Sequence, residues 1–189
     1  MTPDPLRDPR EVVRAYLSDS DIEYDESDAG LFSFSLPGEK KLQTAVRLDV
    51  GRHALGVHAF VCRRPDENHE RVYEWLLQKN LRLYAVSFAI DRLGDIYLDA
   101  RLPLVAVDPD ELDRLLGAVL NAADESFNTL LELGFSSAIR KEWEWRTERG
   151  EPTHNLEAFR GWLEAEGPGD SGDSGASGDE DGAEGERGR

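Results

Sequence analysis

The sequence predicts an α+β domain with an antiparallel sheet, and three observations support this class. Residues 32–61 and 84–102 alternate apolar and polar side chains with the period of two that is typical of half-buried strands. Helical periodicity begins near residue 9, returns after Pro65 and continues from residue 109. Turn signals between the alternating runs are short enough to join antiparallel neighbours. The 189 residues suffice for one domain with a substantial core.

The first helix is expected to begin at the segment Asp8-Pro9-Arg10-Glu11. Aspartate is a favourable N-cap, proline fits the first helical position, and a glutamate at the third position can close a capping box. Three strands are expected to follow, each with one buried face. The residues expected on their inward faces are Phe32, Phe34 and Leu36, then Leu42, Thr44, Val46, Leu48 and Val50, then Leu55, Val57, Ala59 and Val61.

A second helix and a second hairpin are expected between residues 66 and 102. A turn at Leu93-Gly94-Asp95 joins the two strands of this hairpin. The apolar residues that define these elements are Val72, Tyr73, Leu76 and Leu77 in the helix, Tyr84, Val86, Phe88 and Ile90 in one strand, and Ile96, Leu98, Ala100 and Leu102 in the other.

The longest predicted helix opens with a second cap of the same design, Asp108-Pro109-Asp110-Glu111. Its apolar residues keep the helical period as far as Leu131, and Gly134 fits a C-cap. Two shorter helices are expected beyond it, at about 136–149 and 154–165. The predicted order is therefore a helix, three strands, a helix, two strands, a helix and an added helical end.

The end of the chain differs in composition from the rest. From Gly167 it is almost entirely Gly, Ser, Asp and Glu, a composition that cannot bury enough apolar surface to order itself. We therefore expect one domain over 1–166, with a helical extension from about 136, and a disordered acidic tail over 167–189.

The charge of the protein excludes several classes of partner. The net charge is −17, and no stripe of lysine and arginine is present to bind phosphates, so neither nucleic acid nor an anionic membrane is an expected partner. The sequence has no apolar run of membrane-spanning length and no export signal, which favours a cytoplasmic location. Cys62, the single cysteine, lies in an apolar run and is expected to be a small buried hydrophobe.

Two tryptophans near the end of the domain cannot face the same core. Trp143 and Trp145 are two residues apart, which places them about 200° apart on a helix. Trp143 shares a face with Ile139 and is expected to point inward, whereas Trp145 falls on the polar side. Either the last helix folds back over Trp145, or this side chain forms part of a partner-binding or dimer surface, where tryptophan is enriched.

Catalytic and metal-binding patterns are weak in this sequence. No G-x-S-x-G elbow, P-loop or dinucleotide-binding motif is present, and the four histidines lack the spacing of a zinc pair, so no cofactor or metal is expected. Aspartates are common in turns, which is the simpler interpretation of Asp91 and Asp95. The alternative is an uncharacterised enzyme in which Asp91, Asp95 and Asp99 act with His58 in acid–base catalysis.

The segment FAIDRLGDIYLDARLP and the helix that begins DPDELDRLLGAVLNAADESFNTLLELGF carry a family resemblance. Together with the element order, they resemble the actinobacterial branch of the YbjN-domain family over most of residues 9–162. The resemblance implies a type III secretion chaperone-like fold, an α-β-β-β-α-β-β-α unit that often pairs as a dimer and holds protein segments. The family is described as sensory transduction regulators and brings no catalytic residues.

These observations favour a non-enzymatic, cytoplasmic protein-binding module, chaperone-like or regulatory, that holds a segment of a partner protein. We expect it to form a homodimer, and its negative field favours a basic partner. The residues proposed for the partner surface are Phe127, Asn128, Trp143 and Trp145.

Overall fold

The computed structural model describes residues 8–165. The sheet consists of β1 (Tyr24–Glu26), β2 (Leu31–Pro37), β3 (Gln43–Val50), β4 (Ala54–Cys62), β5 (Ser87–Ile90) and β6 (Ile96–Pro103). The α-helices are α1 (Pro9–Asp19), α2 (His69–Asn80), α3 (Pro109–Gly134), α4 (Ser136–Arg149) and α5 (Arg160–Ala165). Short 3-10 helices lie at Leu104–Ala106 and His154–Phe159. The tail over 167–189 lies outside the described residues.

The six strands form one antiparallel sheet in the order β1-β2-β3-β4-β6-β5. This architecture confirms the predicted α+β class, and the helices at the end of the domain lie where they were predicted. The sheet has one strand more than predicted, because the short edge strand β1 pairs with β2 ahead of the first predicted strand. None of the helices among residues 8–165 is both long and apolar enough to span a membrane.

One face of the sheet carries the core. Inward side chains of all the longer strands are buried together with residues of α1, α2 and α3, in a single cluster. The largest side chains that are fully buried on the sheet are Phe32, Leu48, Leu55, Ile96 and Leu98. On α1 and α3 the corresponding residues are Leu17, Leu112 and Leu130. Within residues 8–165, α1, α2 and α3 thus cover one face of the sheet, and the opposite face is open.

Three residues expected on the buried face lie at the surface instead. The side chain of Leu42 is 77% exposed because β3 begins one residue later, at Gln43. Tyr84 and Ile90 are 65% and 48% exposed. Ala85 has a φ of +59°, a left-handed conformation that breaks the alternation ahead of Val86. The strand β5 is consequently shorter than the apolar pattern suggested.

A carboxylate on α3 holds the loop between β2 and β3. Asp124 Oδ1 accepts hydrogen bonds from the backbone N–H groups of Lys40 and Lys41, at 2.8 and 2.9 Å. Gly38 is required beside them, because a Cβ at this position would lie 2.7 Å from Asp124 Oδ1 and 2.5 Å from the carbonyl oxygen of Lys41. The loop is therefore fixed to the helix rather than to the sheet alone.

The junction between α3 and α4 packs against the loop that follows β4. The backbone N–H groups of Asp66 and Glu67 donate to the carbonyl oxygen of Gly134. A Cβ on Gly134 would lie 2.8 Å from the Cβ of Pro65, so close approach, rather than a left-handed C-cap, explains this glycine. The turn from α3 into α4 is thus held against the loop that follows β4.

Glu67 caps the start of α4 from outside the helix. Its carboxylate accepts hydrogen bonds from the hydroxyl of Ser136 and from both the backbone N–H and the hydroxyl of Ser137. The bond from the Ser137 N–H is the largest cause of a lowered Glu67 pKa, and the two hydroxyls add to it. This cap positions the helix that carries Trp143 and Trp145.

The helical end adds a small apolar cluster of its own. Leu156, Phe159 and Leu163 are buried, but they do not belong to the main core cluster. The guanidinium of Arg140 on α4 lies 5.0 Å from the ring centre of Trp162, which places the last segment alongside α4.

We predict that Glu67→Gln lowers the free energy of unfolding by about 1–2 kcal/mol at pH 7, because the charged acceptor of three hydrogen bonds is lost. The pKa of Glu67 is lower in the folded state, so its contribution is present above the ordinary value of 4.5 and is lost as the pH falls through the folded-state pKa. Urea titrations of both proteins at pH 7 and pH 3 measure this difference. The contribution of Glu67 would be refuted if the gap between the two proteins did not shrink in acid.

Candidate functional site

The open face of the sheet contains a groove of about 1230 Å³. It runs along β2 and β3, with the segment that leads into β1 on one side and β4 and β6 on the other. Its outward-facing lining consists of Asp21, Glu23, Asp25, Ser33, Ser35, Ala45, Arg47, His58, Phe60, Asp91 and Tyr97. We call this surface the open-face groove.

Small side chains form the floor of the open-face groove. Ser33 and Ser35 lie on β2, and Ala45, the register partner of Ser35, lies on β3. Pro37 and Gln43 are opposite each other at one end of this floor. Because small residues leave the backbone accessible between larger neighbours, a chain segment can approach the sheet here.

One wall is acidic and comes from the segment between α1 and β1. A hydrogen bond from the N–H of Ile22 to the carbonyl oxygen of Leu17 turns the chain out of the helix, and Asp21 takes a left-handed φ of 53°. Asp25 is the register partner of Ser33 on β2 and therefore lies on the open face. The segment thus brings the carboxylates of Asp21, Glu23 and Asp25 to the groove.

The other wall is aromatic. Phe60 on β4 and Tyr97 on β6 are register partners whose rings meet edge to face, with centroids 5.5 Å apart. The Lys41 ammonium lies 5.7 Å from the Phe60 ring centre and 5.3 Å from that of Phe127. Partial burial lowers the Lys41 pKa. Partial burial, followed by the charges of Asp91 and Asp95, raises the Tyr97 pKa.

A row of polar residues crosses the sheet at the centre of the groove. Through successive register pairs, Asp25 is linked to Ser33, Ser33 to Arg47, Arg47 to His58, and His58 to Asp99. His58 Nδ1 lies 2.5 Å from Asp99 Oδ1. The Arg47 side chain makes no hydrogen bond or ion pair within residues 8–165, and its guanidinium lines the groove together with the carboxylates of the acidic wall.

The aspartates of the second hairpin have separate roles. Asp91 Oδ1 accepts hydrogen bonds from the N–H groups of Leu93 and Asp95, as the turn interpretation predicts. Asp95 Oδ1 accepts from the N–H of Arg64. Only Asp99 touches His58, although Asp91 lines the same groove.

The acid–base alternative therefore reduces to the contact between His58 and Asp99. Within residues 8–165, no hydroxyl or thiol is hydrogen-bonded to His58, as an activated nucleophile requires. In the same part of the chain no three His, Cys, Asp or Glu side chains are grouped to hold a metal ion. Cys62 is buried, as predicted, and burial raises the pKa of its thiol to about 11. A thiol that is buried and protonated at neutral pH is a poor nucleophile.

The four residues proposed from the sequence lie on two helices, Phe127 and Asn128 on α3 and Trp143 and Trp145 on α4, and their role in partner binding stays a prediction. Phe127 is half-buried and contacts the aromatic wall indirectly, through the Lys41 ammonium. Asn128 is half-buried, and its side chain forms no hydrogen bond with another described residue. Neither residue lines the open-face groove.

The two tryptophans of α4 differ in exposure. Trp143 is half-buried rather than fully inward, and α4 contributes no fully buried residue. Trp145 is 41% exposed, with the Arg149 guanidinium 4.7 Å from its ring centre. It lines a separate cavity of about 460 Å³ with Ala138, Lys141 and Glu142. The last segment lies beside Arg140, against which Trp162 packs, and the role of Trp145 in partner binding stays a prediction.

The sequence interpretation missed the open-face groove. The available signal was the size of the outward residues, since Ser33, Ser35 and Ala45 are small whereas Phe60 and Tyr97 are large and aromatic on an outward face. Outward aromatics on neighbouring strands are unusual on a fully solvated sheet face, because they leave apolar surface in water.

Comparison with known proteins gives a family and related sequences. The YbjN family, described as "Putative bacterial sensory transduction regulator", matches residues 9–132. An uncharacterised protein of Mycobacterium leprae (strain TN) is 56% identical over 136 residues, which cover 72% of this chain and 74% of the relative. An uncharacterised protein of Mycobacterium tuberculosis (strain ATCC 25618 / H37Rv) is 56% identical over 124 residues, 66% of this chain and 68% of the relative.

Solved structures with a similar fold include complexes of the type III secretion system. A chain of the ExsC–ExsE complex has a TM-score of 0.49 at 15% identity. The match covers 64% of this chain and 92% of the solved chain. A chain of the heterodimeric ExoU–SpcU complex of Pseudomonas aeruginosa has a TM-score of 0.47 at 20% identity, covering 65% and 97%. At these values the similarity concerns the fold alone. The family match spans most of the domain, and the chain belongs to the YbjN family.

Proposed function

We propose that this protein is a non-enzymatic binding module, chaperone-like or regulatory, that holds an extended segment of a partner protein in its open-face groove. The groove itself is the observation that carries this proposal. It combines a floor of small residues with an aromatic wall and an acidic wall, on the face of the sheet opposite the core helices α1, α2 and α3. The family description concerns regulation rather than a chemical reaction, which agrees with a binding role.

A second exposed surface supports association of the protein with itself. Five of the eight large hydrophobic side chains exposed among the described residues lie on α2, on β5 or in the loops beside them. They are Leu77, Leu81, Tyr84, Ile90 and Leu93, with exposures from 48% to 88%. We call this surface the α2–β5 face. In the sheet formed by the described residues β5 is an edge strand, so the backbone groups on its outer edge can bond to another strand.

The charge distribution favours a second copy as the partner of the α2–β5 face. Residues 69–93 contain four basic and three acidic residues, whereas the whole chain carries −17. Two copies of an acidic protein repel each other least where the local charge is near zero. A two-fold pairing of β5 with itself is self-complementary and leaves the open-face groove of each copy accessible.

Trp145 is proposed as an additional contact for the partner. Its ring is exposed beside a small cavity on α4, away from the lining of the open-face groove. A partner segment longer than the groove can therefore reach a second anchor. The half-buried Phe127, Asn128 and Trp143 are proposed to support this contact surface from within the helices.

We predict that a photoreactive amino acid at Gln43, at one end of the groove floor, crosslinks to a discrete partner in cells of the source organism. Adding Ala45→Trp fills the floor and is expected to abolish the crosslink, whereas Ala29→Trp, at an exposed turn outside the groove, is expected to leave it unchanged. Products are separated on gels and identified by mass spectrometry. A crosslink that survives Ala45→Trp would show that the groove is not the binding site.

The α2–β5 face is tested by the oligomeric state. We expect the wild-type protein to elute with twice the 21.2 kDa mass of the chain in size-exclusion chromatography with light scattering. Leu81→Asp, at an 88% exposed position, is expected to give a monomer because it places a charge in an apolar contact. Val105→Asp, at a 79% exposed position outside this face, is the matched control. A monomeric wild type, or a dimer unaffected by Leu81→Asp, would contradict the assignment.

Trp145→Ala is expected to reduce the amount of crosslinked partner severalfold while lowering the free energy of unfolding by less than about 1 kcal/mol, since the side chain is largely at the surface. Trp143→Ala, at a half-buried position of the same helix, is expected to cost more stability. Partner capture and urea unfolding of both variants measure the two effects. Strong unfolding of Trp145→Ala with unchanged capture would show that Trp145 is a structural residue only.

A further inference from the structure

We infer that the segment held in the open-face groove is an extended stretch with basic side chains at every second residue. This inference rests on the proposed function and adds the chemistry and spacing of the occupant. It follows from the charges that line the groove, from the spacing of those charges, and from the shape of the floor.

The lining of the groove is short of positive charge. Four carboxylates line it, from Asp21, Glu23, Asp25 and Asp91, against the single guanidinium of Arg47. The carboxylate of Asp91 is engaged by the backbone of its own turn. The other three form no hydrogen bond or ion pair through their side chains within residues 8–165.

Glu26, the residue after Asp25, differs from the groove-facing acids because it is paired with a cation. Glu26 points to the helical side of the sheet, where its two carboxylate oxygens accept hydrogen bonds from Arg14 at 2.8 and 2.9 Å. The groove-facing carboxylates therefore lack a cation that the same short strand obtains on its other face. A cation supplied by the occupant would complete the acidic wall.

The spacing of the wall fits an extended occupant. Glu23 and Asp25 are two residues apart on a segment that leads into β1, and two residues of a strand span about 6.6–6.8 Å. Alternate side chains of an extended segment have the same repeat, whereas successive turns of a helix are about 5.4 Å apart. An extended segment that runs along the strands can therefore place two basic side chains opposite two carboxylates.

The floor has room for one such segment. The walls belong to β1 and β4, which are three strand spacings apart, roughly 14 Å at the usual separation of about 4.8 Å. Apart from Arg47, the floor residues Ser33, Ser35 and Ala45 are small and leave this space open. The other side chains of the segment would lie against Phe60 and Tyr97, so the residues between the basic positions are expected to be apolar.

Arg47 allows a test of whether the occupant is basic or acidic. It is the one lysine or arginine in the groove lining. For a basic occupant it is a like charge, so its removal strengthens binding. For an acidic occupant it is the main attractive group, so its removal weakens binding.

The probe is an acetylated eight-residue peptide of alternating lysine and valine, compared with its glutamate and valine counterpart and with a peptide of four lysines followed by four valines. Affinities for the full chain are measured by calorimetry, and the footprint is measured by nuclear magnetic resonance shifts, which also report the fold of each variant. We expect the alternating lysine peptide to bind most tightly, with shifts in residues 21–25, 33–47 and 97, and to weaken as salt is added.

Variants at the groove and on α4 distinguish binding in the groove from attraction to the overall negative charge of the protein. The double variant Glu23→Gln with Asp25→Asn is expected to lower the affinity for the alternating lysine peptide by on the order of tenfold, because two ion pairs are lost. The control double variant, Glu144→Gln with Glu148→Gln, removes two exposed acids of α4 and changes the net charge by the same amount. It is expected to change the affinity for the peptide by less than twofold. Arg47→Gln is expected to tighten binding severalfold.

Equal effects of the two double variants, weaker binding by Arg47→Gln, or preference for the glutamate peptide would each overturn the inference. Equal binding of the block peptide would overturn its spacing. If Ala45→Trp removes the crosslink from Gln43 but the charge variants leave peptide binding unchanged, the groove remains the binding site and only the basic occupant is rejected. If Ala45→Trp leaves that crosslink intact, the proposed function fails as well.

Discussion

The structure depends on the burial of one face of a six-stranded sheet beneath three helices. Inward side chains of the strands and of α1, α2 and α3 form a single core cluster, whose removal from water is the main favourable term in folding. No second layer of helices covers the other face among the described residues. That face can therefore carry polar and aromatic side chains that do not contribute to the core.

Carboxylates from distant segments then fix the parts that the core does not hold. Asp124 on α3 binds two backbone N–H groups of the β2–β3 loop, and Glu67 binds the start of α4. Each bond joins residues about 70 or more positions apart in sequence. The same helix α3 thus supports one end of the open-face groove and, through the junction at Gly134, the helix that carries Trp145.

The alternation of apolar residues was sufficient to predict most of the fold, because residues such as Phe32, Leu48 and Leu98 can be buried only on one face of a strand. The alternation of apolar residues did not predict structure that depends on hydrogen bonding between strands. The strand β1 has only three residues, and it exists because β2 offers hydrogen-bonding partners. The open-face groove could not be predicted from this alternation either, since it combines residues 21–25 with strands that are adjacent only after folding. The positions of Trp145 and Trp162 depend on the packing of the last helices, which periodicity does not report.

The two edges of the sheet are chemically different, and this limits how copies can assemble. At one edge β1 is short, contains Asp25 and follows Glu23, so a second acidic sheet is repelled there. At the other edge β5 lies among exposed apolar side chains. Growth by repeated strand addition requires two compatible edges, and this sheet has one. In the proposed dimer through β5, edge-to-edge association would therefore stop at two copies, which would protect a sheet with an uncovered face from forming fibres.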